Sequence, residues 1–278
     1  MWTPSRRFRT CKFWIARGIP VEGYKKRRLD WAIPVSLIFQ AKLHRALQKG
    51  PAKGLPGGID VQSHSTKFAG MSLEPKWVGW GRELQAIAQT GLHFCESVYD
   101  RERYRRILEI ATEIFADYSG ESPEIVRAVF ANQTGYATPK VDVRGVVFRE
   151  GKLLMVRERS DGLWTLPGGW ADVNDSPSEA VEREIAEESG FLSKAERMLA
   201  VFDRAKHDHQ PPFPFHVYKL FVLCRLVGGE AKPALETSGV DFFSEDEIPL
   251  LSTSRVTRTQ IRFCFDCLKN PGASCRFD

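Results

Sequence analysis

One acidic stretch decides the fold of this chain: residues 168–191, which read GGWADVNDSPSEAVEREIAEESGF. It contains a Gly-Gly turn, a helix-start signal, a dense acidic segment and a glycine stop. Glu184, Glu187 and Glu188 are spaced at i, i+3 and i+4, so on a helix they share one face. Three like charges on one face repel each other. A divalent cation would remove that repulsion, because Mg²⁺ and Mn²⁺ prefer carboxylate oxygens as ligands.

Local signals set the two ends of the acidic helix. Residues 176–179 read SPSE, which is a capping box with a proline at the first helical position. Gly190 stands where a glycine commonly ends a helix. The sequence therefore predicts a helix between these two signals. Arg183 lies on the side of this helix that could pair with Asp175 of the preceding loop.

The whole stretch closely resembles the sequence box of the Nudix hydrolases, G-x5-E-x7-R-E-U-x-E-E-x-G-U, where U is aliphatic or aromatic. The match begins at Gly169, has Asp175 where the box has glutamate, and continues through residues 183–191. Only this one defined position departs from the pattern, and it keeps the charge. The resemblance implies an α+β fold: a Nudix-type α/β/α sandwich with a mixed sheet, preceded by a small all-helical domain.

The resemblance also implies which residues carry out the chemistry. Nudix enzymes cleave the pyrophosphate bond of a nucleoside diphosphate that is linked to another group, X. By this likeness the cofactor is Mg²⁺ or Mn²⁺, and its ligands are the carbonyl of Gly168 and the carboxylates of Glu184, Glu187 and Glu188. Arg183 and Asp175 would hold the geometry of the site. Glu187 could also help to deprotonate the attacking water.

Three further residues are candidates for substrate binding. Arg144 and Arg157 lie on strands predicted to be adjacent, and the family often uses a strand arginine at the phosphate. Their alternative role is a surface ion pair, which contributes little to stability. Trp170 follows the Gly-Gly turn and could stack on a base, with packing in the core as an equal alternative.

The region before the box resembles the helical extension of one bacterial Nudix group. The matching segments are residues 80–91, WGRELQAIAQTG, and residues 99–104, YDRERY. Members of that group are described as ADP-ribose pyrophosphatases or as hydrolases of CDP-choline and other X-linked nucleoside diphosphates. The resemblance therefore implies metal-dependent hydrolysis of such a compound to a nucleoside monophosphate and X-phosphate. The alternative is a non-catalytic ligand sensor on the same scaffold.

The charge of the chain is divided unevenly. Residues 1–70 contain 14 Lys and Arg against three acidic residues, which is a net charge of +11, whereas the remaining 208 residues carry −6. We predict that residues 1–70 are a basic extension that is disordered or not native. The abrupt change of character at Met71 favours a translation start there. A nucleic-acid-binding arm and an organelle-targeting peptide are the alternatives.

Two domains are predicted after this extension: a helical domain at 71–135 and a Nudix domain at 136–272. Apolar residues recur at helical spacing in two segments of the first, and Asp100 is a candidate cap for the second of these helices. Its aromatic stripe favours core packing or a dimer interface, so we expect a homodimer. In the second domain, strands on both sides of the acidic helix favour an α+β sandwich.

Composition narrows the expected class and partners. No apolar run approaches the roughly 20 residues of a membrane-spanning helix, so we expect no membrane contact. The acidic body lacks the basic-aromatic face of a nucleic-acid-binding protein, so the expected partner is a small-molecule nucleoside diphosphate derivative. The six cysteines are scattered through a chain of ordinary size. This pattern is typical of reduced thiols and predicts a cytoplasmic location.

Overall fold

The computed structural model describes residues 74–278. The predictions made for residues 1–70 and for a start at Met71 lie outside the described residues. The described part begins with three helices: α1 (Lys76–Phe94), α2 (Val98–Ser119) and α3 (Pro123–Ala131). Their shared core contains Val78, Ala111, Phe115, Val126 and Phe130.

Serine residues cap two of these helices. The hydroxyl of Ser97 accepts a hydrogen bond from the backbone N–H of Asp100 and so begins α2. The prediction that Asp100 itself is the cap was wrong, because this residue lies inside the first turn, where its carboxylate pairs with Arg103 at 2.7 Å. Ser122 caps α3, and Pro123 occupies its first position, where the fixed φ of proline suits a helix start.

A mixed sheet follows the helices. Its strands are β1 (Lys140–Arg149), β2 (Lys152–Glu158), β3 (Trp164–Thr165), β4 (Phe191–Asp203), β5 (Val217–Gly229), β6 (Thr237–Phe243) and β7 (Arg276–Phe277). The strand order is β3-β2-β1-β5-β4-β7, and β6 pairs with β2. β1 runs parallel to β5 and antiparallel to β2. The two remaining helices are α4 (Pro177–Ser189) and α5 (Arg258–Lys269).

Helices cover both faces of the sheet. Val181 and Ile185 of α4 pack against one face in a buried cluster with Val143 of β1. Ile261 and Phe265 of α5 pack against the other face in a second buried cluster. This layering confirms the predicted α+β sandwich. Within residues 74–278, no helix is long and apolar enough to cross a membrane.

Gly145 of β1 sets the distance between α4 and the sheet. A Cβ atom at this position would lie 2.5 Å from Cδ1 of Ile185, which is closer than real carbon atoms approach each other. The absence of a side chain therefore lets the helix rest directly on the strand. This close contact places the acidic face of α4 beside the Gly-Gly turn.

A chain of aromatic rings joins the helical segment to the sheet. Phe115 packs edge to face on Phe130 at 5.7 Å, and Phe130 packs on Phe215 at 6.1 Å. Phe215 contacts Phe213 at 5.8 Å, and Phe213 stacks on Trp170 at 6.2 Å with an interplanar angle of 27°. The three N-terminal helices are thus connected by ring contacts to the residue that follows the Gly-Gly turn.

Candidate active site

The Gly-Gly turn is fastened to β1 by backbone hydrogen bonds. The Val143 N–H donates to the Gly169 carbonyl at 2.8 Å, and the Gly145 N–H donates to the Pro167 carbonyl at 2.8 Å. Gly168 has a φ of +143°, and a Cβ there would collide with the Val143 carbonyl. Only glycine fits this close approach of two backbone segments.

The predicted signals fix α4 in place next to this turn. Ser176 and Glu179 form both hydrogen bonds of the capping box, and Pro177 occupies the first turn. Gly190 ends the helix in the left-handed region, with φ at 77°. Because both ends are set locally, the three box glutamates take defined positions along the helix axis.

The three glutamates differ in their surroundings. Glu188 is only 8% exposed and accepts a hydrogen bond from the Gly168 N–H at 2.9 Å. Glu184 is largely covered and lies 2.9 Å from Nη1 of Arg183. Glu187 is mostly exposed at the edge of the site and lies 3.3 Å from the same nitrogen. Glu184 and Glu187 therefore share one nitrogen of Arg183, whereas Glu188 is held by a backbone N–H.

A fourth carboxylate, Glu158, was missed from the sequence. It ends β2, is 4% exposed, and forms an ion pair with Nε of Arg255 at 3.0 Å. In the sequence it stands between Arg157 and Arg159, which reads as a charged surface segment. The sequence offered no signal for it, because residues 153–156 are all apolar and buried and so show no alternation that would tell which charged neighbour faces inward.

Burial of these carboxylates perturbs their protonation. The pKa of Glu188 is raised to about 8, mainly by desolvation and next by the negative charge of Glu158. Desolvation likewise raises the pKa of Glu184 and that of Glu158 above their usual values. Carboxylates that are buried at this energetic cost supply the oxygen donors that Mg²⁺ and Mn²⁺ prefer.

The box carboxylates are the kind of ligand that a divalent cation prefers, but in this structure they are paired with other groups of the protein. Within the part of the chain that the structure describes, no three His, Cys, Asp or Glu side chains are gathered closely enough to hold a metal ion. Glu184 is held by Arg183, and Glu188 by the Gly168 N–H. The residues that would hold the cation are Gly168, Glu184, Glu187 and Glu188.

A buried cationic group faces the carboxylates. Arg144 makes two hydrogen bonds to Asp142, at 2.8 and 2.6 Å, and Nζ of Lys219 donates to Asp142 at 2.7 Å. Burial lowers the pKa of Lys219 to about 7. Burial alone would lower the pKa of Arg144, but the contact with Asp142 raises it above its ordinary value. Arg144 stays positively charged, and when Lys219 is protonated as well the two cations exceed Asp142 by one charge, which suits an anionic ligand.

These groups line one cleft with a volume of about 590 Å³. Of the residues singled out in the sequence, it contains Arg144, Gly168, Trp170, Glu184, Glu187 and Glu188. Asp175 and Arg183 do not line it, but Arg183 pairs with Glu184 and Glu187, which do. Arg157 is not brought to the cleft: its side chain is exposed and donates to the Gly162 carbonyl at 2.8 Å. The expectation that it points toward the phosphate site is corrected by strand parity, since Glu158 takes the inward position.

Two family models match the chain. Residues 138–262 match the NUDIX domain, and residues 75–130 match a model described as a UDP-X-like, N-terminal oligomerisation domain. The Bacillus subtilis (strain 168) protein named "Putative ADP-ribose pyrophosphatase YjhB" is 44% identical over 208 residues, which cover 75% of this chain and 100% of that protein. The chain belongs to the Nudix hydrolase family.

Solved structures of similar sequence include two with related names. A crystal structure of an ADP-ribose pyrophosphatase from Streptococcus suis 89-1591 is 42% identical, covers 51% of this chain and 100% of that one, and has a TM-score of 0.46. A crystal structure of a UDP-X diphosphatase is 33% identical, covers 73% of this chain and 98% of that one, and has a TM-score of 0.48.

The one departure of this Nudix box, Asp175, still reaches the arginine. Its Oδ2 lies 3.1 Å from Nε of Arg183, and Asp172 lies 3.2 Å from Nη2 of the same side chain. Arg183 thus sits at the centre of four acidic side chains, two from the loop and two from α4. The shorter aspartate keeps the loop-to-helix pairing that the box glutamate is expected to make.

Proposed function

We propose that this Nudix hydrolase uses Mg²⁺ or Mn²⁺ to hydrolyse the pyrophosphate bond of a nucleoside diphosphate linked to X. The products are a nucleoside monophosphate and X-phosphate. The observation that carries the proposal is the cleft in which buried glutamates face the buried Arg144 and Lys219. One wall suits divalent cations and the other suits the diphosphate, which is the charge arrangement that phosphoanhydride cleavage needs.

Two sources support the choice of substrate class. The Bacillus subtilis relative carries ADP-ribose pyrophosphatase in its name, and the N-terminal match is described as UDP-X-like. ADP-ribose is therefore the first substrate to test, and CDP-choline is tested with it because the helical extension resembles a group that includes hydrolases of that compound. These two compounds differ in both the base and X. Comparing them with compounds that combine the base of one with the X group of the other identifies which of the two parts the enzyme selects.

The residues of the cleft divide the work of the reaction. A bound divalent cation would neutralise the diphosphate and lower the pKa of the attacking water. Arg144 donates to the diphosphate oxygens from a position fixed by Asp142. Glu187, the most exposed of the box glutamates, accepts the proton of the water. Arg183 and Asp175 hold α4 against the loop, so that the glutamates keep their spacing.

A substrate panel tests the proposal most directly. The full-length protein is incubated with ADP-ribose, CDP-choline and other X-linked nucleoside diphosphates, with Mg²⁺ or Mn²⁺, and the products are identified by chromatography. We expect a monophosphate and X-phosphate, and complete loss of turnover when EDTA removes the metal. Release of inorganic phosphate alone, or turnover that EDTA leaves unchanged, would contradict the proposal.

A ligand sensor on the same scaffold is the alternative function. Such proteins usually lose box carboxylates, whereas this chain keeps Glu184, Glu187 and Glu188. Ligand binding by calorimetry without any release of monophosphate would favour the sensor. All three retained carboxylates line the cleft, which favours the enzyme.

Self-association and location are separate parts of the proposal. We expect a homodimer, because the N-terminal match is described as an oligomerisation domain and the helical segment exposes Trp80, Phe94 and Tyr99. The cytoplasmic location remains a prediction from the cysteines. All five cysteines among residues 74–278 are free thiols, which is compatible with a reducing compartment.

A further inference from the structure

A second cavity, which we call the α3 groove, adjoins the catalytic cleft. Its volume is about 470 Å³, and it lies between the end of α3 and the beginning of β1. Among the residues that line it are Val129, Asn132, Gln133, Lys140, Trp170 and Phe215. Trp170 also lines the catalytic cleft, so the two cavities adjoin at this residue. A ligand that begins at the Gly-Gly turn can therefore extend past Trp170 toward α3.

The indole of Trp170 is held rigidly and is open on part of its surface. Trp170 directly follows Gly169, and backbone pairing with Asp142 fixes it against β1. Phe213 stacks on the ring at 6.2 Å, while Trp170 itself remains half-buried. A fixed aromatic ring that directly follows the Gly-Gly turn and borders the cleft is suited to stack on a nucleobase. Stacking of this kind contributes about 1–3 kcal/mol per base.

Two amide side chains at the end of α3 supply hydrogen-bonding groups. Oε1 of Gln133 accepts a hydrogen bond from Nζ of Lys140 at 3.0 Å, which orients the amide and leaves its Nε2 donors unused within residues 74–278. Asn132 is exposed at the end of the helix, and its side chain makes no hydrogen bond to any residue that the structure describes. Amides that carry both donors and acceptors match the edges of bases.

Charge distinguishes the base from the other parts of the substrate. Lys140 lines the groove, and its Nζ lies 4.9 Å from the centre of the ring of Phe215, which lines it too. A cationic X group such as choline would be repelled by this ammonium. A phosphate would meet only one cation and a floor formed by the apolar side chains of Val129 and Phe215. A neutral planar base satisfies the ring, the amides and the apolar floor together.

We propose that the α3 groove is the nucleobase subsite, in which Trp170 stacks on the base and Asn132 and Gln133 select among bases at its edge. The subsite rests on the proposed function, because it assigns one half of a nucleoside diphosphate substrate. It also gives the N-terminal helices a part in substrate selection, since both amides come from the end of α3.

The test varies the base while X stays constant. The kcat and KM of the full-length protein are measured with Mg²⁺ for ADP-, CDP-, GDP- and UDP-glucose. Gln133→Ala and Asn132→Ala should each raise KM for the preferred base about tenfold, equivalent to about 1.4 kcal/mol, and leave kcat nearly unchanged. In both variants, the differences in KM among the four bases should become smaller than in the parent protein. Trp170→Leu should raise KM for all four, because stacking tolerates every base.

Arg127→Ala is the matched control, since Arg127 lies on α3 outside the groove and pairs with Glu109. It should leave KM and base preference as in the parent protein. If Gln133→Ala and Asn132→Ala raised KM equally for all four substrates, the proposed subsite would be overturned. The subsite would also be overturned if a variant changed KM differently for ADP-glucose and ADP-ribose, because these two substrates share a base.

Calorimetry with the four nucleoside monophosphates separates the two proposals. Base-dependent binding that Gln133→Ala weakens, without turnover of any diphosphate, would support the subsite and refute the hydrolase. If the protein turns over a diphosphate but the amide variants leave its base preference unchanged, the hydrolase is supported and the subsite is refuted. Neither binding nor turnover would refute both.

Discussion

At the scale of single residues, the site depends on pairs of groups that are costly to bury alone. Glu188 is close enough to Glu158 for their charges to interact, and Arg144 pairs with Asp142 while it interacts with the charges of both glutamates. An ionised group in such surroundings needs a partner, because desolvation otherwise drives it to the neutral form. A divalent cation on the carboxylates and a diphosphate on the cations would supply those partners when substrate binds.

Glu187→Gln tests the proposed role of the most exposed box glutamate. The amide cannot accept a proton at neutral pH, so we expect kcat to fall by about 10²–10⁴-fold while the fold is retained. Steady-state kinetics on the best substrate measures the change, and circular dichroism checks the fold. Glu113→Gln is the control, because Glu113 is an exposed helical glutamate of α2. Unchanged kcat in Glu187→Gln would rule out this role.

Lys219 is expected to make stability depend on pH. Its pKa is lowered by burial from 10.5 to about 7, so between these values the unfolded state binds the proton more tightly than the folded state. The free energy of unfolding therefore gains a contribution that rises with pH from about 7 to 10.5. In Lys219→Met this rise should be absent, so the stability of the parent relative to the variant should increase across the window.

Urea unfolding at several pH values between 7 and 10 measures this difference. Lys152→Met is the control, since Lys152 is exposed at the beginning of β2. The chosen window lies above the titration range of Asp142, whose pKa is kept low: burial raises it, but Arg144 and Lys219 outweigh burial. Parallel pH profiles for the parent and Lys219→Met would show that the burial of this lysine has no such consequence.

At the scale of elements, α4 holds its glutamates in place because separate interactions fix its two ends and its contact with the sheet. The capping box begins the helix, Gly190 ends it, and the contact between Gly145 and Ile185 sets its depth. The spacing of the glutamates comes from the helix itself. Their distance from the Gly-Gly turn comes from packing on β1.

Ser176→Ala tests the contribution of the capping box. Loss of the hydroxyl leaves the N–H of Glu179 without its side-chain acceptor, so we expect stability to fall by about 1 kcal/mol. Chemical denaturation measures the loss. Ser178→Ala is the control, because Ser178 is exposed in the same turn of α4. Equal stability of the two variants would contradict the capping role.

At the scale of the whole molecule, the three helices both cover an aromatic interior and expose apolar side chains. Phe130 and Phe215 connect them to the sheet at 6.1 Å. On their outer surface, Trp80 is 60% exposed and Val98 is 76% exposed. Large apolar residues on one small unit favour contact with a second copy of the chain.

Trp80→Glu should convert the expected dimer to a monomer. A carboxylate in an apolar interface is costly to desolvate, so association should weaken by at least about tenfold. Sedimentation velocity over a range of concentrations measures the change. Leu250→Glu is the control, since Leu250 is 79% exposed on the loop after β6, outside the three helices. Parent protein that sediments only as a monomer would refute the dimer.

Local sequence determined much of the candidate site. The capping box, the glycine stop and the glutamate spacing act over a few residues, so the sequence predicts α4 and the arrangement of Glu184, Glu187 and Glu188 along it. The resemblance carried by the same residues predicted the α+β sandwich, and the structure confirms it. The sequence also predicts that Arg183 pairs with the shorter Asp175, but only the structure gives the distance between them.

Only the tertiary structure decided which distant groups meet in the cleft. Asp142 and Lys219 lie 77 residues apart and become partners because β1 and β5 pair in parallel. Glu158 rather than Arg157 faces inward, because pairing and burial of β2 fix its side-chain parity, and a charged run by itself does not reveal which face is buried. Short-range rules specified the helix, whereas the charges around it were set by strand register.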